Sequence, residues 1–158
     1  MKKIKVMGYR QACAYTPTVP TLMMRIYDYG IEALNSPQNK LLPSTLYITT
    51  EYTFDDLDMD SIENNYGNKK AKEIKNRLHP FTPSHAQTIL SDIKKNINSV
   101  EEIIIHCTLG ASRSPAVAIA LAEIHPFEQN DYYLKKLYPS YNRYVYRLLQ
   151  QAEEEPYQ

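Results

Sequence analysis

Apolar residues along this chain fall into short runs whose period changes several times. Ile4 to Tyr9 reads as a first strand. The run Thr21-Leu22-Met23-Met24-Arg25-Ile26-Tyr27 reads as a second, closed by Asp28-Tyr29-Gly30. Gly30 to Ser44 is irregular, with Asn35-Ser36-Pro37 and Leu42-Pro43-Ser44 as loop punctuation. Thr45 to Phe54, rich in Thr, Tyr and Ile, suits a third strand and runs into the acidic loop Asp55 to Asp60.

Asn64 to Leu78 is polar and lysine-rich, and is expected to be a mobile loop leading into a short surface helix. The signals then sharpen. Thr82 is placed to cap a helix with Pro83 in its first turn, and Ala86, Ile89, Leu90, Ile93 and Ile97 share one face to about Asn98. Glu101 to His106 holds three consecutive isoleucines, the mark of a strand buried on both faces. Pro115 to Ile124 reads as a helix apolar nearly all round, which belongs inside a domain. Two further helices are expected, one over Asp131 to Tyr138. The other starts near Tyr141, with Val145, Leu148, Leu149 and Ala152 as its buried stripe. Strands alternating with helices predict a single α/β domain over 1–158, its mostly parallel central sheet flanked by helices.

Composition narrows the function. The chain has 158 residues, 43% of them hydrophobic, enough for one core. Eighteen basic residues balance eighteen acidic ones, which argues against a nucleic-acid or anionic-membrane footprint. Two cysteines, Cys13 and Cys107, are too few for a disulfide framework or a four-cysteine zinc site. With four glycines in all, glycine-rich nucleotide loops are nearly excluded, and each glycine's position becomes informative. The basic start Met1 to Arg10 begins like a secretion signal, but Lys5 and Arg10 break its apolar stretch. The purest apolar run, Ala116 to Ala122, is far short of a membrane span. A cytoplasmic protein is expected.

The most informative segment is His106-Cys107-Thr108-Leu109-Gly110-Ala111-Ser112-Arg113-Ser114-Pro115. It joins the buried strand to the buried helix, the carboxyl-end junction where open parallel sheets bind ligands. Gly110 allows a tight turn there, and backbone N–H groups leading into a helix start make an anion cradle. The cradle and the Arg113 guanidinium both favour a thiolate at Cys107, the nucleophilic form. Arg113 adds a planar fork for two phosphate oxygens, and Ser114 can donate a hydrogen bond to the sulfur. Nucleophile, cradle and bidentate cation are what displacement at phosphorus requires. The bland alternative, a buried cysteine beside a chance arginine, does not account for their shared loop.

The pattern His106-Cys107, five residues, Arg113-Ser114 resembles the signature of the cysteine-dependent protein tyrosine phosphatases. In its full form it is most similar to small dual-specificity-like and short microbial members. The motif spans about ten residues, and the order of elements from the acidic loop to the final helix extends the likeness over much of the chain. The resemblance implies a phosphatase-like phosphate loop between strand and helix, with Thr108, Leu109, Gly110, Ala111, Ser112 and Arg113 holding the substrate phosphate. It also implies a phosphocysteine intermediate on Cys107, no metal or other cofactor, and an aspartic acid from a separate loop. The partner expected is a phosphorylated protein or peptide. The late position of Cys107 argues against the low-molecular-weight lineage, whose cysteine loop lies near the N-terminus. Large tyrosine-specific members carry an upstream tyrosine-recognition loop; Tyr141 to Tyr144 is similar in composition but lies downstream, and is set aside. Thr108 to Ser112 contains no lysine, which weighs against a phosphoinositide substrate.

The acid is expected in Phe54-Asp55-Asp56-Leu57-Asp58. Asp56 is preferred from the Phe-x-Asp-aliphatic pattern, with Asp55 and Asp58 open. The interval from Asp56 to Cys107 is long for the family, and the excess falls in Asn64 to Leu78. His106 is expected to orient the loop rather than transfer a proton. Cys13 is read as an ordinary small side chain rather than a redox partner. The cluster Lys69, Lys70, Lys72, Lys75, Arg77 is read as a solvated face. The expected activity is phosphomonoester hydrolysis. Its alternatives are a catalytically silent phosphate-binding module, or a phosphatase for nucleotide, lipid or RNA 5′-phosphates.

Overall fold

A computed structural model of the chain describes residues 1–30 and 40–155. Four strands, β1 (Lys3–Gly8), β2 (Thr21–Tyr27), β3 (Tyr47–Thr53) and β4 (Glu102–Cys107), form one sheet in the order β1-β4-β2-β3. Every pairing is parallel, with Ile4 opposite Ile103, Leu22 opposite Ile103 and Leu22 opposite Ile48. The last strand in sequence is therefore flanked on both sides, and all six of its residues are buried. Successive side chains point to opposite faces, so the isoleucine run divides between two cores. Ile103 and Ile105 join Leu22, Met24 and Ile26 in the larger one. Ile104 packs with Met7, Met23 and Ala12 in the smaller.

Helices cover both faces. Tyr9 does not continue β1 but begins the short helix α1 (Tyr9–Ala14), whose Ala12 fills the smaller core. The expected helix from Pro83 is α3 (Pro83–Asn96), and the capping box extends the expectation: Thr82 accepts from the His85 amide while His85 accepts from the Thr82 amide. The all-apolar helix is α4 (Arg113–Ile124), buried from Arg113 to Leu121. It packs against α5 (Asp131–Leu137) and α6 (Arg143–Glu154), whose buried stripe adds Tyr144 to the four expected residues.

One expectation is corrected. Asn64 to Leu78 is not a loop with a short helix after it: α2 (Met59–Arg77) is helical throughout except at Gly67, where φ is +85°. Asp58 caps its start, accepting from the Ser61 amide, and Lys, Ala and Glu sustain its second half. Only Met59 and Ala71 of this helix are buried, so the apolar stripe that marks a packed helix is absent from its sequence. The basic residues Lys69, Lys70, Lys72, Lys75 and Arg77 are all exposed on it. The irregular segment expected from Gly30 to Ser44 falls mostly in 31–39, outside the described residues. No described helix is long and apolar enough to cross a membrane.

Candidate active site

All four strands end on the same side of the sheet, where β2, β3 and β4 lead into residues that line one cavity and β1 supports its loop. Cys107 is the last residue of β4, and the loop after it enters α4 at Arg113. Gly8, the last residue of β1, lies against that loop: a Cβ added to it would meet the carbonyl oxygens of Thr108 and Leu109 at 3.3 Å. Gly110 turns with φ at +72°, and a Cβ there would stand 2.7 Å from the Gly8 nitrogen. Both the dihedral and the contact require glycine at Gly110, because β1 supports the loop from behind. The Tyr9 amide donates to the Thr108 carbonyl at 3.3 Å and ties the two together.

The cavity, about 270 Å³, is lined by Cys107, Thr108, Leu109, Ala111, Ser112, Arg113, Asp28 and Asp56. The Cys107 sulfur lies 3.1 Å from Ser114 Oγ, within reach of a hydrogen bond. Arg113 is almost wholly buried. Its Nη1 donates to the Phe54 carbonyl at 2.7 Å and pairs with Asp28 Oδ1 at 2.7 Å, and its Nη2 donates to Thr108 Oγ1 at 3.2 Å. Its Nε is buried with no partner among the described residues. Such an unmet donor is costly unless something binds to it.

The three candidate acids separate by what their carboxylates touch. Asp55 accepts from the Tyr29 amide at 3.1 Å and the His79 amide at 2.9 Å, which pins the end of β2 to the segment before α3. Asp58 is spent on the α2 cap. Asp56 alone of the three lines the cavity. Its Oδ1 accepts from Ser112 Oγ at 2.8 Å and from Asn142 Nδ2 at 2.9 Å, leaving Oδ2 free among the described residues. Ser112, at the start of α4, makes no side-chain cap; its hydroxyl goes to Asp56 instead.

His106 is fully buried, with Nε2 accepting from Arg25 Nε at 3.0 Å. Its proton therefore rests on Nδ1, an assignment drawn from the hydrogen bond. Burial, then the nearby Arg25 charge, lowers its pKa to about 4 against a weaker upward pull from the Cys107 backbone. The imidazole is neutral at pH 7. Cys13, a free cysteine, lies 4.0 Å from Arg25 Nη2.

Two site residues escape a reading of the sequence. Asp28 reads as turn punctuation, although its place just past a strand beside β4 is the signal that could have found it. Asn142 belongs to the set-aside stretch Tyr141 to Tyr144; the fold brings its side chain to Asp56 and its amide to the Ser112 carbonyl at 3.0 Å. The cavity brings one guanidinium together with two carboxylates. Among the described residues no group of three or more His, Cys, Asp or Glu is arranged to hold a metal ion.

No family model matches this sequence, and no curated protein sequence matches it. Among solved structures, the chain is similar to one described as the crystal structure of Tk-PTP in the active form, at 12% identity and a TM-score of 0.48. That likeness covers 98% of this chain and 93% of the other.

Proposed function

We propose that this protein hydrolyses phosphate monoesters through a covalent phosphocysteine, with phosphorylated tyrosine, or tyrosine and serine/threonine, in proteins as substrate. The observation that carries the proposal is the convergence on one cavity of the Cys107 sulfur, the buried Arg113 fork and the Asp56 carboxylate. Cys107 attacks phosphorus as a thiolate while Arg113 and the loop amides hold the non-bridging oxygens. Asp56 in its acid form protonates the leaving oxygen, so the bond from phosphorus to the ester oxygen breaks as the bond to sulfur forms. Asp56, now a carboxylate, then takes a proton from water as that water attacks the phosphocysteine. The Ser114 hydroxyl, 3.1 Å from the sulfur, supports the thiolate as it departs. Asn142 and Ser112 hold the aspartate in reach without themselves transferring a proton.

The test is direct. Purified protein should hydrolyse a small aryl phosphate in the presence of EDTA, and Cys107→Ser should reduce turnover to background while the protein stays folded. Protein that binds phosphate but turns over no aryl phosphate would falsify the enzyme reading and leave a binding module. A preference for nucleotide, lipid or RNA 5′-phosphates over phosphopeptides would move the substrate class.

A further inference from the structure

We propose that Asp28 is a positioning residue that sets which edge of the Arg113 guanidinium meets substrate, an inference that rests on the phosphatase reading above. The carboxylate follows β2, the neighbour of β4, and is Arg113's one carboxylate partner among the described residues, at 2.7 Å from Nη1. The Phe54 carbonyl takes the same nitrogen at 2.7 Å. Two partners therefore stand at Nη1, the carbonyl by a hydrogen bond and the carboxylate as an ion pair. Nη2 gives one hydrogen to Thr108 Oγ1 at 3.2 Å, and Nε is buried without a partner among the described residues. Nε–H and the second hydrogen of Nη2 are what remains for two oxygens of a phosphate.

Phe54 and Asp28 together clamp one end of the planar fork and keep the other end for the anion. Of these two partners only Asp28 is a carboxylate, and its attraction to the guanidinium acts where Arg113 is shielded from water. Its side chain is 42% exposed, against 5% for Arg113, so it reaches the buried cation from the solvent side of the cavity. A guanidinium free to turn would present the wrong edge part of the time, and affinity for the phosphate would fall.

The experiment measures tungstate binding by calorimetry, aryl phosphate kinetics, and alkylation of Cys107 by iodoacetamide, in wild type, Asp28→Ala and Asp28→Asn. Asp28→Ala should bind tungstate about fivefold more weakly, as loss of one partly exposed ion pair implies. KM should rise in parallel, while Cys107 alkylation is not slowed. Asp28→Asn, which keeps an acceptor but no charge, should fall between, at about threefold. Tungstate binding in Asp28→Ala that equals or exceeds wild type overturns the proposal, since the carboxylate would then be opposing the anion. Slower alkylation in Asp28→Ala also overturns it, because the whole loop would have moved. Should that variant fail to fold, undiminished binding in Asp28→Asn decides against the proposal. Wild-type protein that binds no tungstate removes the phosphatase reading and this one together. Active wild type with undiminished binding in the variants removes this one alone.

Discussion

At the amino end of β4, Glu102 is 3% exposed and both its carboxylate oxygens are engaged: one pairs with Lys5 and the other accepts from Tyr15 Oη at 2.8 Å. Just past the carboxyl end of the same strand, Arg113 is 4% exposed and keeps a buried Nε unmatched beside a cavity. Both are buried charges, one on β4 and one at the start of the helix that follows it, and burial alone does not distinguish them. What separates them is completion. A buried ion whose hydrogen-bonding capacity is filled by the protein holds the fold together and leaves nothing for a ligand. A buried ion left incomplete, next to a thiol and a half-engaged aspartate, costs stability and can bind.

The comparison can be broken at either end. The largest expected effect is at the open end. Asp56→Asn should lower kcat by about 10²–10⁴-fold and remove the fall in kcat/KM with rising pH that loss of the acid form causes. A variant that keeps that high-pH fall would transfer the acid role elsewhere, with Asp28 the next carboxylate in the cavity.

At the closed end, Glu102→Ala should leave kcat within a factor of about two. It should destabilise the fold by about 3 kcal/mol in urea titration, near the lower bound for breaking a buried pair because Lys5 is partly solvated. Lys5 holds a raised pKa in that pair: burial acts to lower it, and the hydrogen bond to Glu102 more than offsets the effect together with Tyr15. A large loss of activity with stability intact would erase the division between the two ends.

The smallest effect concerns His106, which joins strand to loop. Its folded pKa of about 4 lies below the ordinary 6.5, so the unfolded chain binds a proton between those values and the folded one does not. The stability this neutral imidazole confers is complete above pH 6.5 and is lost as pH falls towards 4. The loss should amount to roughly 2–3 kcal/mol in the free energy of unfolding. His106→Asn should flatten that slope; an unchanged slope would place the acid sensitivity in other groups.

How far the molecule could be read in advance varied by element. β4 and α4 were legible because each holds an unbroken apolar run, Ile103 to Ile105 and Pro115 to Ala122, a pattern that needs no partner to interpret. So was α3, with its Thr82 cap and one-sided stripe. The helix α2 was not, since only Met59 and Ala71 reach the core and the remaining polar positions resemble a loop. Within the acidic segment, Asp55, Asp56 and Asp58 are chemically alike and nearly adjacent. Their separate tasks depend on the His79 amide, on Ser112 and Asn142, and on the Ser61 amide.

By itself the sequence determined the parallel α/β architecture, the cysteine loop at a strand–helix junction, and the need for glycine where that loop turns. These follow from periodicity and residue chemistry, which are properties of neighbours along the chain. Only the tertiary structure decided which aspartate lines the cavity, that Asn142 returns to hold it, and that Asp28 faces Arg113. Those contacts join residues from distant parts of the chain that meet at the carboxyl ends of the strands. Their energy depends on distance and direction in space, and no local pattern encodes either.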